Sequence, residues 1–223
     1  MSIIKSWRSA LRSGVYRDQL IASIIVLAIT LILTGSFLNY IGARMGVMLQ
    51  DPVLRLFPPV NFKWITFSVI YSGIVFGFVS LLLYPYSLLL ALRALIVLFI
   101  MRVACLSLVP LDPPADFIPL VDPFIRLPGI RTVIERDLFF SWQTAIMSLF
   151  VFTARWKDMK IIFSCVAFAV SALLLLQHAH YTIDIIAAPC FTYVAYTIAK
   201  SLTVQEVFGK FGKEGSGRSG SAS

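Results

Sequence analysis

Charge is scarce in this chain. Only 13% of its 223 residues are Asp, Glu, Lys or Arg, while 59% are apolar, which excludes an ordinary soluble domain, where about a quarter of residues are charged. Histidine is rarer still, with two in the chain, His178 and His180. The three cysteines, Cys105, Cys165 and Cys190, stand singly in or near apolar runs, without the spacing of a zinc site or a redox motif, and read as small apolar packing residues. No small-x-small cleavage site follows Lys5, Arg8, Arg12 and Arg17, and the apolar run after them is too long for a signal-peptide core. The first helix is therefore expected to be retained.

What the chain does have is a series of apolar runs, each close to the roughly 20 residues that cross a hydrocarbon core of about 30 Å as a helix. The expected fold class is all-α: a polytopic membrane protein built as a bundle of six transmembrane helices. The spans are expected at about 19–42, 62–83, 86–108, from about Leu138, at about 161–176 and at about 181–199. Three regions follow: a basic interfacial segment over 1–18 with Trp7 and Tyr16, the bundle over 19–202, and a basic Gly/Ser-rich tail over 203–223 with too little apolar surface to fold. The "YPY" of Tyr84, Pro85 and Tyr86 reads as a tight helical hairpin. The long connection after the third span carries Asp112, Asp116, Asp122, Glu135 and repeated prolines, which keep it out of hydrocarbon.

The net charge of +8 belongs to topology and not to nucleic acid, since the basic residues flank spans instead of alternating with aromatics on a soluble face. Both termini, the turn after span two and the "ARWKDMK" turn together carry roughly twice the Lys and Arg of the opposite loops, so they are expected on the cytoplasmic side. The segment Gln177–Asp184 then lies at the opposite, exoplasmic or periplasmic end.

That segment, "QHAHYTID", holds both histidines. His180 and Asp184 are four apart, one above the other on a helix face and within hydrogen-bonding reach. An Asp bonded to one imidazole nitrogen fixes the tautomer and leaves the other nitrogen free as nucleophile or base. The plainer reading is a satisfied interhelical hydrogen bond near the water boundary. His178 does not share that face and reads as interfacial.

A second candidate stretch is "ERDLFFSWQTA", Glu135 to Ala145, where the long loop leads into span four. Ser141, Gln143 and Thr144 fall in the first turns of an apolar helix, near the positive end of its dipole and at the depth of His180. Asp137 suits an N-cap. Arg131 and Arg136 are either solvated boundary residues or a phosphate clamp. Within span three, Arg102 is expected near the same end and could join the site, while Arg93 snorkels at the other.

Together the two stretches resemble the sphingomyelin synthase branch of the type 2 phosphatidic acid phosphatase superfamily. "HYTIDIIAAP", His180 to Pro189, is similar to that branch's His-Tyr-Thr-x-Asp-Val/Ile signature, and "DLFFSWQTA" to its Asp-Leu-Phe-Phe-Ser-Gly-His-Thr-Ala signature. The resemblance implies six spans and a phosphohistidine mechanism at the exoplasmic face. His180 attacks the lipid phosphorus and Asp184 orients it, and a lipid hydroxyl or water takes the headgroup. Tyr181, Ser141, Thr144, Asp137, Arg102, Arg131 and Arg136 are the expected substrate contacts. The implied partners are membrane lipids: a phospholipid donor and a ceramide-like or diacylglycerol acceptor. Neither cofactor nor metal is called for.

The departure from the family pattern is equally specific. Trp142 and Gln143 stand where the family has Gly-His. Glutamine can donate a hydrogen bond to a leaving oxygen but cannot give up a proton at neutral pH. Tryptophan adds bulk where backbone would approach a phosphate.

Overall fold

The computed structural model describes residues 3–42, 44–120 and 138–217. Among them the regular elements are helical: α1 (Ile3–Arg12), α2 (Gly14–Gly42), α3 (Lys63–Leu82), α4 (Pro85–Leu108), α5 (Trp142–Thr153), α6 (Lys157–Leu176) and α7 (Thr182–Gly217), with one 3-10 turn at Leu54–Leu56. Five of these helices, α2, α3, α4, α6 and the Thr182–Thr203 part of α7, are long and apolar enough to cross a membrane. Apolar residues surround these helices on all sides, as expected where the solvent is lipid.

The fourth expected span is the exception. It emerges as α5, a helix of 12 residues that covers only about 18 Å. Its start is delayed to Trp142 because Ser141 caps it, accepting a hydrogen bond from the Thr144 amide at 3.3 Å. Leu138–Phe140 before the cap are not helical. At the far end, α7 continues as helix through Gly217 where a disordered tail from 203 was expected. Once nucleated in a span, a helix propagates at one hydrogen bond per residue fixed.

The helix order in space follows from the contacts. α4 packs against α2, α7, α5 and α3, and α5 packs against α6, α7, α3 and α4. α2 touches little beyond α4 and α1, and its flank of Ile24, Ile25, Ile32 and Leu33 is exposed. Packing of α3 on α5 depends on small residues. A Cβ at Gly77 would run into the Phe150 ring, and one at Gly73 would come 2.8 Å from the Met147 sulfur.

The loops segregate into two ends. At one, Trp7 Nε1 donates to the Leu82 carbonyl (2.7 Å), the Tyr16 hydroxyl to the Pro85 carbonyl (2.8 Å) and Trp156 Nε1 to the Tyr84 hydroxyl (2.9 Å). Trp7 of α1 and Tyr16 of α2 thus rivet the basic N-terminal segment to the end of α3 and to Pro85 of the hairpin. At the other end, Val47 exchanges backbone hydrogen bonds with Pro110 and Asp112, and the Gln177 carbonyl accepts from the Ile118 amide. Gly46 permits that approach, since a Cβ there would lie 2.5 Å from the Leu111 carbonyl carbon.

Candidate functional site

His180 and Asp184 meet at this second end, where α6 stops and α7 begins. His180 Nδ1 lies 3.2 Å from Asp184 Oδ2, and both side chains are buried. The pairing is not the helix-face stack expected from the spacing, because α7 starts only at Thr182 and His180 precedes it. Asp184 instead turns back over the first turn. Its Oδ2 also accepts the Tyr181 amide at 3.0 Å, the reciprocal half of a capping box. The carboxylate therefore both caps α7 and orients the imidazole.

The other candidate stretch reaches the same carboxylate. The Phe139 amide donates to Asp184 Oδ1 at 3.2 Å, and the Ser141 amide donates to the Asp184 backbone carbonyl, also at 3.2 Å. The tautomer in which Nδ1 of His180 donates to Asp184 leaves the lone pair on Nε2. Among the described residues nothing is hydrogen-bonded to that nitrogen.

Two non-glycine residues have positive φ among the described residues, Phe139 at 108° and His178 at 51°. They flank the site, one in each stretch. Such conformations cost on the order of 1–3 kcal/mol and cluster where surrounding contacts over-determine the backbone. Phe139 is held by its Asp184 bond and by an edge contact to the Phe191 ring at 6.1 Å. His178 is held by an Nε2 contact to the Phe57 carbonyl at 3.2 Å.

The remaining site residues separate clearly. Gln143 sits in the first turn of α5 with its Oε1 accepting from the Ser141 hydroxyl at 3.3 Å. Arg102 is buried, donates to the Phe140 carbonyl at 3.3 Å and lies 5.4 Å from the centroids of both the Phe140 and Trp142 rings. The Trp142 ring is also 4.3 Å from Phe99, so the indole fills the space that glycine would leave. Thr144 is buried and its hydroxyl is 3.2 Å from that of Ser171 on α6. Arg131, Arg136 and Asp137 lie outside the described residues.

Tyr181, an expected substrate contact, is held between two loops. It is 1% exposed, and its hydroxyl donates to the Asp112 carbonyl at 2.8 Å and accepts from the Leu49 amide at 3.2 Å. The aromatic ring satisfies its buried hydroxyl by pinning two loops, so it acts as a rivet. Burial raises its pKa above the ordinary tyrosine value, and the nearby Asp184, Asp112 and Asp51 add to the rise against the opposing Leu49 hydrogen bond.

A scan against protein-family models finds no match, and a search of curated proteins returns no relative.

Asp51 is one that sequence reasoning missed. Its Oδ2 accepts the Thr182 amide at 2.6 Å and its Oδ1 the Thr182 hydroxyl at 3.1 Å. The same side chain accepts from the Val53 and Leu54 amides. Burial by itself would raise the Asp51 pKa, but the hydrogen bonds from Thr182, Val53 and Leu54 outweigh it and hold the carboxyl below its usual value. The local signal was an Asp-Pro turn at Asp51 and Pro52. Its partner 131 residues away has no local signature. Asp51, Arg55, Asp116, His178 and Tyr181 also line a cavity of about 610 Å³ at this end, of which His180 is not a wall. Among the described residues no group of three or more His, Cys, Asp or Glu is gathered closely enough to hold a metal ion.

Proposed function

We propose that this protein is a membrane lipid phosphotransferase or phosphatase that works through a phosphohistidine on His180, with turnover slowed by the lack of a general-acid histidine. The observation that carries the proposal is the convergence on Asp184: one carboxylate orients His180 and binds the amide of Phe139 from the opposite motif. Two stretches that resemble the halves of a phosphoryl-transfer site are thereby joined.

In this reading Nε2 of His180 attacks the phosphorus of a phospholipid headgroup. An N–P bond forms as the P–O bond to the lipid breaks, and the imidazolium is stabilised by Asp184 through Nδ1–H. The departing alkoxide takes its proton from water, with Gln143 able only to donate a hydrogen bond. A hydroxyl of a ceramide-like lipid, diacylglycerol or water then attacks phosphorus and gives its proton to the hydroxide left by the first step, while the N–P bond breaks and its electron pair returns to Nε2 of His180. Buried Arg102 is a positioning residue here, holding the Phe140 carbonyl and the Trp142 ring.

The proposed topology has six spans, with α5 and the non-helical Leu138–Ser141 together making the fourth crossing. Both termini are then cytoplasmic and the site is exoplasmic or periplasmic, following the basic loops at the Tyr84 end.

A second reading is a lipid-binding relative without turnover. It is favoured by one specific observation, the Trp142 ring packed between Phe99 and Arg102 where backbone would approach a phosphate. One assay separates the two. Purified protein in mixed micelles is given fluorescent ceramide with phosphatidylcholine or phosphatidylethanolamine, or phosphatidic acid alone. Product or free phosphate that disappears in His180→Ala supports the enzyme. An inactive wild type that gains activity as Trp142→Gly/Gln143→His supports the second reading.

A further inference from the structure

The end of the bundle away from His180 carries α1, a helix of 10 residues, shorter than the roughly 12–15 that hold a helix in water without tertiary support. One face of it is supported. Ala10 is buried with Tyr16 and Leu89, and Trp7 Nε1 donates to the Leu82 carbonyl. The remaining face is turned away from the bundle. Ile4 and Leu11 are 69% and 45% exposed, and Lys5, Arg8 and Arg12 are exposed as well.

Helical geometry sorts these five residues into two strips. Ile4 and Leu11 are seven apart, close to two turns, so one lies above the other. Lys5, Arg8 and Arg12 follow at steps of three and four, which makes them a second strip beside the first. A shallow cleft of about 570 Å³ spans both, lined by Ile4, Trp7 and Leu11 together with Arg8 and Arg12. Among the described residues no carboxylate pairs with Lys5, Arg8 or Arg12, and like charges at i, i+4 destabilise a helix. The strip calls for an anion, beside a contact that calls for hydrocarbon.

Aromatic residues fix the level at which α1 lies. Trp7, Tyr16, Tyr84 and Trp156 all make their hydrogen bonds at this end, and Trp and Tyr gather where hydrocarbon meets headgroups. A helix at that depth buries its apolar strip among acyl chains and holds its basic strip at the phosphates.

We propose that α1 is a binding site for an anionic phospholipid, separate from the His180 site and in the opposite leaflet. The headgroup phosphate sits between Arg8 and Arg12, Lys5 meets the headgroup's further negative group, and the first methylenes of a chain lie on Ile4 and Leu11. Free phosphate offers nothing to the apolar strip, so the occupant is the lipid. This lipid is no substrate: the 24 residues of α4 put about 36 Å between the two ends. The proposal draws nothing from the phosphotransfer reading and stands or falls without it.

The test uses the full-length protein in phosphatidylcholine nanodiscs at low salt. Parallel preparations carry a trace of phosphatidylserine or of phosphatidylcholine with a diazirine beside the ester, and label on α1 is normalised to label at Ile32, an exposed residue of α2. In wild type the phosphatidylserine label should exceed the phosphatidylcholine label by about tenfold, which converts to about 1.4 kcal/mol. Arg8→Gln/Arg12→Gln should bring the ratio to about one, as should about 1 M NaCl, where the Debye length is about 3 Å. Ile4→Ser/Leu11→Ser should lower the label from both lipids. Excess inorganic phosphate at matched ionic strength should displace neither. Equal labelling by the two lipids in wild type overturns the proposal, and that arm needs no variant to fold. It is also overturned by a preference that survives in Arg8→Gln/Arg12→Gln, by undiminished labelling of Ile4→Ser/Leu11→Ser, or by displacement with inorganic phosphate.

Discussion

The Phe139 amide and the Asp184 carboxylate are hydrogen-bonded at 3.2 Å across 45 residues of chain. Phe139 has a φ of 108°, and Asp184 has three partners: the His180 ring, the Tyr181 amide and the Phe139 amide. In the proposed reaction this carboxylate has a structural and a chemical task at once, and mutation separates the two.

Asp184→Asn keeps one acceptor oxygen for the backbone and loses the charge that fixes the His180 tautomer. Headgroup transfer should fall by about 10²–10⁴, by analogy with loss of the orienting carboxylate in a triad. Asp184→Ala should in addition lower stability by about 1–3 kcal/mol for each buried amide left unpaired. His180→Ala should abolish transfer with a much smaller change in thermal midpoint. Steady-state rates and thermal unfolding in detergent, measured on the same three preparations, check this pattern.

Restoring the missing acid should raise activity. Trp142→Gly/Gln143→His is expected to gain about 10²–10⁴ in rate, the usual contribution of a positioned general acid. Gln143→His alone should gain less, because the Trp142 ring still occupies the space between Phe99 and Arg102. The double variant should also lose stability, since removing a packed aromatic ring costs about 3–5 kcal/mol when fully buried and Trp142 is only partly so.

Much of the fold was legible because lipid imposes a length. The expected 62–83 and 86–108 spans correspond to α3 at Lys63–Leu82 and α4 at Pro85–Leu108, and Pro85 sits where a helix start tolerates it. The His180–Asp184 contact was also legible, though as a helix-face pair and not as a helix start. Illegible were features set by distant chain. The start of α5 depends on Asp184 holding Phe139 and Ser141, the burial of Tyr181 depends on Leu49 and Asp112, and Asp51 is recruited from the first loop. No periodicity or local motif encodes a hydrogen bond between loops.

Asp51 offers a pH test. Its folded pKa is depressed, below the unfolded value of about 3.9. Its contribution to stability is therefore complete above the unfolded value and is lost as pH falls through the lower, folded one. Asp51→Ala should lower the thermal midpoint by a constant amount from pH 7 to about pH 5, equivalent to about 1 kcal/mol for the lost acceptor at the start of α7. The difference between variant and wild type should shrink only below about pH 4. A difference that disappears near neutral pH contradicts the anchoring role.

Tyr181→Phe tests the rivet. Loss of the hydroxyl removes the donor to Asp112 and the acceptor for Leu49, at a cost of about 0.5–1.5 kcal/mol per hydrogen bond. The Michaelis constant for lipid should be unchanged while the thermal midpoint drops. A raised Michaelis constant with unchanged stability would return Tyr181 to the substrate.

A covalent phosphate on His180 is the intermediate that the proposed reaction requires. Wild-type protein incubated with phospholipid labelled in its phosphate, quenched in denaturant at alkaline pH and digested, should yield an acid-labile label on the peptide that contains His180, and His180→Ala should carry none. Product formation without any labelled peptide, or label that persists in His180→Ala, contradicts the account.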